Sequence, residues 1–218
     1  MKKHHAVLAV VLILYGPSFA ATANPNANAG IRCGLATAQS MIGAPVLPGV
    51  RYRTSTGATV IPPADWRLAR CQDYKFEFAK VNQSPYQVDF AALSDAQLDP
   101  WKDESTFVAE VKASLVTGDT IGKQKLQIKS LKLLEIDGRP CVDIYREGIM
   151  FLRTSLDATT DGAVKTIEFI RACHLRDIRG PGAALLAIYK RNSKEAPANF
   201  DDEARQFIDS VVLPQWVR

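Results

Sequence analysis

The sequence predicts an α+β fold, an antiparallel β-sheet flanked by helices behind an irregular N-terminal segment. Three observations predict it. Runs of alternating apolar and polar residues follow one another with short turns between them, which implies hairpin-connected antiparallel strands. Two other segments repeat their apolar residues every three or four positions, the spacing of one helical face. Residues 24–65 show neither period and are punctuated by Pro45, Pro48, Pro62, Pro63, Gly43, Gly49 and Gly57. Two amphipathic helices laid on such a sheet give an α/β/α sandwich.

The chain opens on what reads as an export address. Lys2 and Lys3 precede the apolar run Ala6–Tyr15, and Gly16 and Pro17 break it. Ala21 and Ala23 then stand at the −3 and −1 positions before Asn24, the pattern of a cleaved signal peptide over residues 1–23. The run is shorter than the ~20 residues a membrane-spanning helix needs. No membrane insertion is expected after cleavage. Ile31 and Arg32 are too large for a lipoprotein cleavage box before Cys33. The expected organisation is the signal (1–23), the irregular Pro/Gly-rich segment (24–65) with a short helix over Leu35–Ile42, and one α+β domain (66–218).

Within that domain "YKFEFAKV" sets Tyr74, Phe76 and Phe78 against Lys75 and Glu77, the period of a strand. "YQVDFAAL" alternates through Tyr86, Val88 and Phe90 after a Ser84-Pro85 turn. In "DESTFVAEVKASLVTG" the period changes. Phe107, Val111 and Leu115 share a helical face, Asp103 or Ser105 can cap the start, and Gly118 is the expected stop. Two long strand-like runs, "KLQIKSLKLLEI" and "RPCVDIYREGIMF", meet at Asp137-Gly138, a pair that tolerates the positive φ of a tight hairpin. "AVKTIEFIRACHL" and "AALLAIYKR" follow as further strands. The closing segment carries Ala204, Phe207, Ile208 and Val211 on one stripe, with Asn199 or Asp201 as cap and Pro214 as stop.

The strand pair, the helix "STFVAEVKASLV", the hairpin "EIDGRPCVDIYREG" and the closing "DEARQFIDSVVL" resemble the Mog1/PsbP-like fold, which includes the DcrB-like envelope proteins of bacteria. The likeness covers roughly Trp66 to Leu213. It implies a non-catalytic scaffold that serves as a binding partner, assembly factor, adaptor or chaperone. That fold has no shared catalytic motif, so no functional residue is carried over.

Charge excludes one class of function. Lys and Arg number 27 against 23 acids; without Lys2 and Lys3 the balance is 25 to 23. A nucleic-acid binder would show a clustered basic face, so no nucleic acid is expected as partner. All four cysteines, Cys33, Cys71, Cys141 and Cys173, follow the signal, and an even count in an exported chain suggests disulfides. Three pairings are possible. Cys141 and Cys173 fall in neighbouring predicted strands, which favours Cys141–Cys173 with Cys33–Cys71.

The juxtaposed Cys173 and His174 invite a nucleophile–base reading. On a strand, however, adjacent side chains point to opposite faces. Cys173 then lies with Phe169, Arg171 and Leu175, and His174 with Ile170 and Ala172. His4 and His5 leave with the signal, so no multi-histidine metal site is expected. "GDTIGKQ" is one residue short of a phosphate loop, and Gln124 stands where Ser or Thr should. It reads as a helix stop. No catalytic set, metal or cofactor is expected. Arg171, Arg176 and Arg179, with His174, form the candidate contact for an acidic partner, because exposed loops often carry binding. The expected protein is periplasmic or secreted, is not an enzyme, and binds another envelope or secreted protein, as an immunity or inhibitor protein or a secretion-system accessory factor does. The alternatives are a small-molecule or lipid-binding module and a hydrolase with dispersed carboxylates.

Overall fold

A computed structural model of the protein describes residues 30–33, 41–80, 88–122, 124–151, 163–175, 180–193 and 199–215. The expected signal peptide and most of the short helix over Leu35–Ile42 lie outside the described residues.

The chain is mainly β. Two short strands, β1 (Tyr52–Arg53) and β2 (Thr59–Val60), pair with each other. Seven more form one antiparallel sheet: β3 (Trp66–Gln72), β4 (Lys75–Lys80), β5 (Val88–Gln97), β6 (Gln124–Ile136), β7 (Arg139–Phe151), β8 (Ala163–His174) and β9 (Ala183–Ser193). Their spatial order is β3-β4-β5-β9-β8-β7-β6. Two helices accompany them, α1 (Glu104–Gly122) and α2 (Phe200–Asp209).

Alternate residues of the same strands feed two apolar clusters. Leu185, Ala187 and Tyr189 of β9 join Phe76 and Phe78 of β4 under Ala204, Phe207 and Ile208 of α2. Val142 and Ile144 of β7, with Ile170 and Ala172 of β8, pack beneath Phe107, Val111 and Leu115 of α1. Each large apolar side chain buried this way stabilises the fold by about 1.5–3 kcal/mol. The expected apolar stripes of both helices are thus the buried ones. Asp103 caps α1 as expected: Thr106 N–H donates to Asp103 Oδ1 at 2.9 Å, and Ser105 Oγ donates to the same carboxylate. Asn199 stands at the N-cap of α2 but makes no side-chain capping bond. Its amide instead donates to Glu203 and accepts from Arg191.

Three features differ from the sequence reading. Trp66–Gln72 is a seventh sheet strand that the pattern did not reveal. Gly118 does not stop α1, which runs on to Gly122. A mid-helix glycine costs only about 1 kcal/mol relative to alanine, and a continuing helix tolerates it. "GDTIGKQ" is accordingly the last turn of α1 and the start of β6. Finally, the irregular segment is built into the core, since Val46, Tyr52, Ala58 and Val60 are buried with the α2 cluster. Tyr52 sets its ring edge against Phe76 and Phe78 at 5.6 and 5.1 Å.

The β6–β7 hairpin turns where the sequence placed it, with Asp137 at φ 51° and Gly138 at φ 72°. Nothing lies within 4 Å of a Cβ built on Gly138, so strain alone opposes a side chain there. Gly138→Ala is expected to cost about 1–2 kcal/mol; a urea titration checks it, and an unchanged midpoint would show the turn to be tolerant. Gly182 is different. Its φ is 83°, and a Cβ would stand 2.3 Å from the Leu98 carbonyl oxygen, so backbone approach there requires glycine.

Candidate functional site

Of the four predicted contact residues, Arg171 and His174 are described, and they lie on opposite faces of β8. Arg171 is committed within the fold: Nε and Nη2 donate to the two Asp143 oxygens at 2.7 and 2.8 Å, Nη2 also meets Asp209, and Nη1 donates to the Ile208 carbonyl. It clamps α2 to the sheet. His174 points to the other face, with its ring 5.3 Å from Trp101 and 5.9 Å from Phe107. Arg176 and Arg179 lie outside the described residues. The cysteines pair as Cys33–Cys71 and Cys141–Cys173. Cys173 is directly opposite Cys141 in the β7–β8 ladder, so its sulfur is occupied and no thiol stands beside His174. Two disulfides suggest an oxidising, exported compartment. Among the described residues no helix is long and apolar enough to cross a membrane, and no three His, Cys, Asp or Glu side chains converge to hold a metal ion.

Charge is buried on both faces. On the α1 side Glu168 accepts from Arg146 at 2.6 Å and from Lys190 at 3.0 Å. On the α2 side Arg191 bridges Asp89 and Glu203, and Tyr189 donates to Glu203 at 2.7 Å. The two acids on Arg191 respond to pH with opposite signs. Burial raises the Asp89 pKa, and Arg191 offsets this only in part. Partial burial works the same way on Glu203, but the Tyr189 hydrogen bond and the positive charges of Arg191 and Lys80 outweigh it and lower the pKa. The stabilisation from Glu203 is therefore present above its unfolded pKa of about 4.3 and is lost as pH falls through the lower folded value. Asp89 gains a proton more readily folded than unfolded, so it adds stability as pH falls toward about 3.9. Glu203→Gln is expected to be about 1–2 kcal/mol less stable at neutral pH and to lose less of its remaining stability below about pH 4. Urea titrations on both sides of that pH read the slope; a steeper acid loss in the variant would contradict the assignment.

Two shallow clefts flank the turn at residues 54–57. One, of about 180 Å³, is lined by Ser55, Thr56, Tyr74, Asp95 and Gln97 among others; the second, of about 270 Å³, by Arg32, Arg53, Ser55 and Asp73 among others. Asp95 is already engaged there. Its oxygens accept from the Thr54, Ser55 and Thr56 hydroxyls and from the Thr56 N–H. Both volumes fall below the ~300–1,000 Å³ of small-molecule sites. Of the aromatic strand face, Phe76 and Phe78 are buried against Tyr52, and only Tyr74 reaches the first cleft.

The sheet edges are unlike each other. The outer side of β3 is covered: Val46 N–H donates to the Trp66 carbonyl, Leu68 N–H to the Ala44 carbonyl, and Gly43 N–H to the Leu68 carbonyl. At the other end β6 pairs only with β7 among the described residues. It is a long edge, with Ile128 40% and Leu133 49% exposed. Lys129 and Lys132 are exposed on it as well. An unpaired strand edge of this length presents a row of backbone donors and acceptors that can pair with another chain. The sequence reading did not single out β6. Its signal was the spacing of lysines through a strand-like run, a common mark of edge strands.

No family model matches the chain, and no curated protein matches it either. A solved structure from Bacteroides thetaiotaomicron VPI-5482 is similar to it at 12% identity and a TM-score of 0.45, over 79% of this chain and 51% of that one. This chain thus spans about half the length of that protein.

Proposed function

We propose that the protein is a periplasmic or secreted non-enzymatic factor that binds another envelope or secreted protein, in the manner of an immunity or inhibitor protein or a secretion-system accessory factor. We read its sheet and two helices as a Mog1/PsbP-like α/β/α sandwich of the DcrB-like kind. Support for the sandwich comes from the packing of α1 and α2 against alternate residues of the same strands.

The observation that carries the binding reading is the β6 edge, where Ile128 and Leu133 stay exposed beside backbone that pairs with no other strand than β7 among the described residues, while the β3 edge is covered. Exposed apolar side chains gathered at one place mark interaction surfaces. A photo-cross-linking side chain at Leu133, in the protein exported to a bacterial periplasm, is expected to trap one discrete protein. The adduct should vanish when Ile128→Asp is added. The same probe at Lys112, on the exposed side of α1, should trap none. Equal labelling from both positions, or no adduct at Leu133, would refute the reading.

A further inference from the structure

We infer that the Cys33–Cys71 disulfide is a thiol-exchange site. A dithiol reductant attacks Cys33 through the cleft beside Arg32 and Arg53, and the folded protein gives up this bridge while it keeps Cys141–Cys173. The inference does not depend on the protein-binding reading.

The two bridges sit in different surroundings. Cys141 and Cys173 are each 1% exposed. They face each other inside three consecutive ladders, with Leu134 of β6 beyond Cys141 and Leu185 of β9 beyond Cys173. A thiol reaches them only when those strands part, which comes close to global unfolding. Cys71 instead belongs to the edge strand β3, and Cys33 to the segment 30–33, which pairs only with β1 among the described residues. Cys33 and Cys71 are 5% and 4% exposed, so burial alone does not separate the two bridges. Access and anchorage do. Cys33 lines the cleft of about 270 Å³, together with Arg32, Arg53, Thr54, Ser55 and Asp73. That cleft is too small to enclose a small molecule, but exchange needs only the sulfur-bearing tip of the reductant at the bridge. Among the described residues, two backbone hydrogen bonds hold the segment besides the bridge itself. A segment held so lightly opens locally, and this exposes Cys33 further.

The charge of the cleft suits the reactant. The attacking species is a thiolate, an anion. Two guanidinium groups outnumber the one carboxylate, Asp73, in the cleft lining, and a positive lining raises the local concentration of anions. The thiolate sulfur bonds to Cys33 Sγ, the bond between the two protein sulfurs breaks, and Cys71 leaves as a thiolate that takes a proton from water. The second thiol of the reductant, once deprotonated, displaces Cys33 and closes the reductant's own disulfide. Two electrons pass from the dithiol to the bridge, and the protein is left with two thiols. The covalent tie between residues 30–33 and β3 is then gone, and the segment is free to leave Arg51 and Arg53.

The test uses the oxidised, signal-processed protein without denaturant. Dithiothreitol is added, samples are alkylated at intervals, and labelled cysteines are located by peptide mapping. Cys33 and Cys71 are expected to label about tenfold or more faster than Cys141 and Cys173. Amide exchange at Ile31 and Arg53 should quicken in the partly reduced protein, with Ile170 unchanged. Two monothiols at matched thiolate concentration then probe the cleft. Anionic mercaptoethanesulfonate should form its mixed disulfide faster than cationic cysteamine, and on Cys33. Arg32→Gln should cut that preference by about twofold or more, while Arg205→Gln, exposed on α2, should leave it unchanged. Reduction of both bridges at one rate, reduction of Cys141–Cys173 first, or no reduction until denaturant is added would overturn the inference. So would a mixed disulfide on Cys71, or the same charge preference in Arg32→Gln as in the unaltered protein.

Discussion

Arg191→Ala is expected to lower the unfolding free energy by about 3–5 kcal/mol, among the largest losses available to a single side chain in this fold. Asp89 is 0% exposed, and its Oδ1 accepts from Arg191 at 2.9 Å. Its Oδ2 has no hydrogen-bond partner among the described residues. Arg191 also holds Glu203 at the start of α2, beside Tyr189. Removing the guanidinium leaves the buried Asp89 carboxylate without its counter-charge, while Glu203 keeps Tyr189 and Asn199 as donors. The loss then comes mostly from the stranded charge, and only in small part from the deleted contacts. That distinction is measurable. Arg191→Met combined with Asp89→Leu removes both charges and keeps apolar volume, so it should recover much of what Arg191→Ala loses. Urea titrations with both disulfides intact give the comparison. A single-variant loss under about 1 kcal/mol would mean that water reaches the pair.

None of that network is legible in the sequence, because Asp89 and Arg191 are 102 residues apart and meet only through the β5–β9 pairing. Elements with an undisturbed period were legible. The stripes of α1 and α2, the Asp137-Gly138 turn and the opposite faces of Cys173 and His174 all follow from spacing. The β3 strand was not, and the cause is local. A bulge between Leu68 and Arg70 shifts its register, so the buried residues fall at Trp66, Leu68 and Cys71 and break the two-residue period. The same irregularity recurs in β6 at Ile128/Ser130. Gly118 misled for a different reason. A glycine marks a helix end only when the chain turns there, and α1 continues without a turn to Gly122.

The candidate site was less legible than the fold. Arg171 has the charge of a binding residue, yet Asp143, Asp209 and the Ile208 carbonyl consume its donors. Only partner positions in three dimensions reveal this. Likewise a strand-like run does not say whether it lies at the centre or the edge of a sheet. Sheet order decides that, and with β9 between β5 and β8 the two edges fall to β3 and β6. What separates these edges is the chain segment at residues 43–46, which the sequence shows only as an irregular stretch rich in Pro and Gly.

Replacing Cys141 and Cys173 together by Ala should cost about 3–4 kcal/mol in global unfolding. The pair closes a sequence separation of 32 residues, and both side chains are buried beneath α2. The effect acts mainly on the unfolded chain, since β7 and β8 remain paired along their whole length without it. Folded spectra should therefore stay unchanged while the urea midpoint falls. Cys33→Ala with Cys71→Ala closes a similar separation, 38 residues, but the native consequences differ. Among the described residues, those around Cys33 are otherwise tied down by two backbone hydrogen bonds, Ile31 N–H to the Arg51 carbonyl and Arg53 N–H to the Ile31 carbonyl. Without the bridge that segment can open alone, at a free energy far below global unfolding. The expected signature is fast exchange at the Ile31 and Arg53 amides with little change at Ile170 or Tyr189. If both double variants instead lose protection uniformly across the sheet, the N-terminal segment belongs to the cooperative core and cannot open by itself.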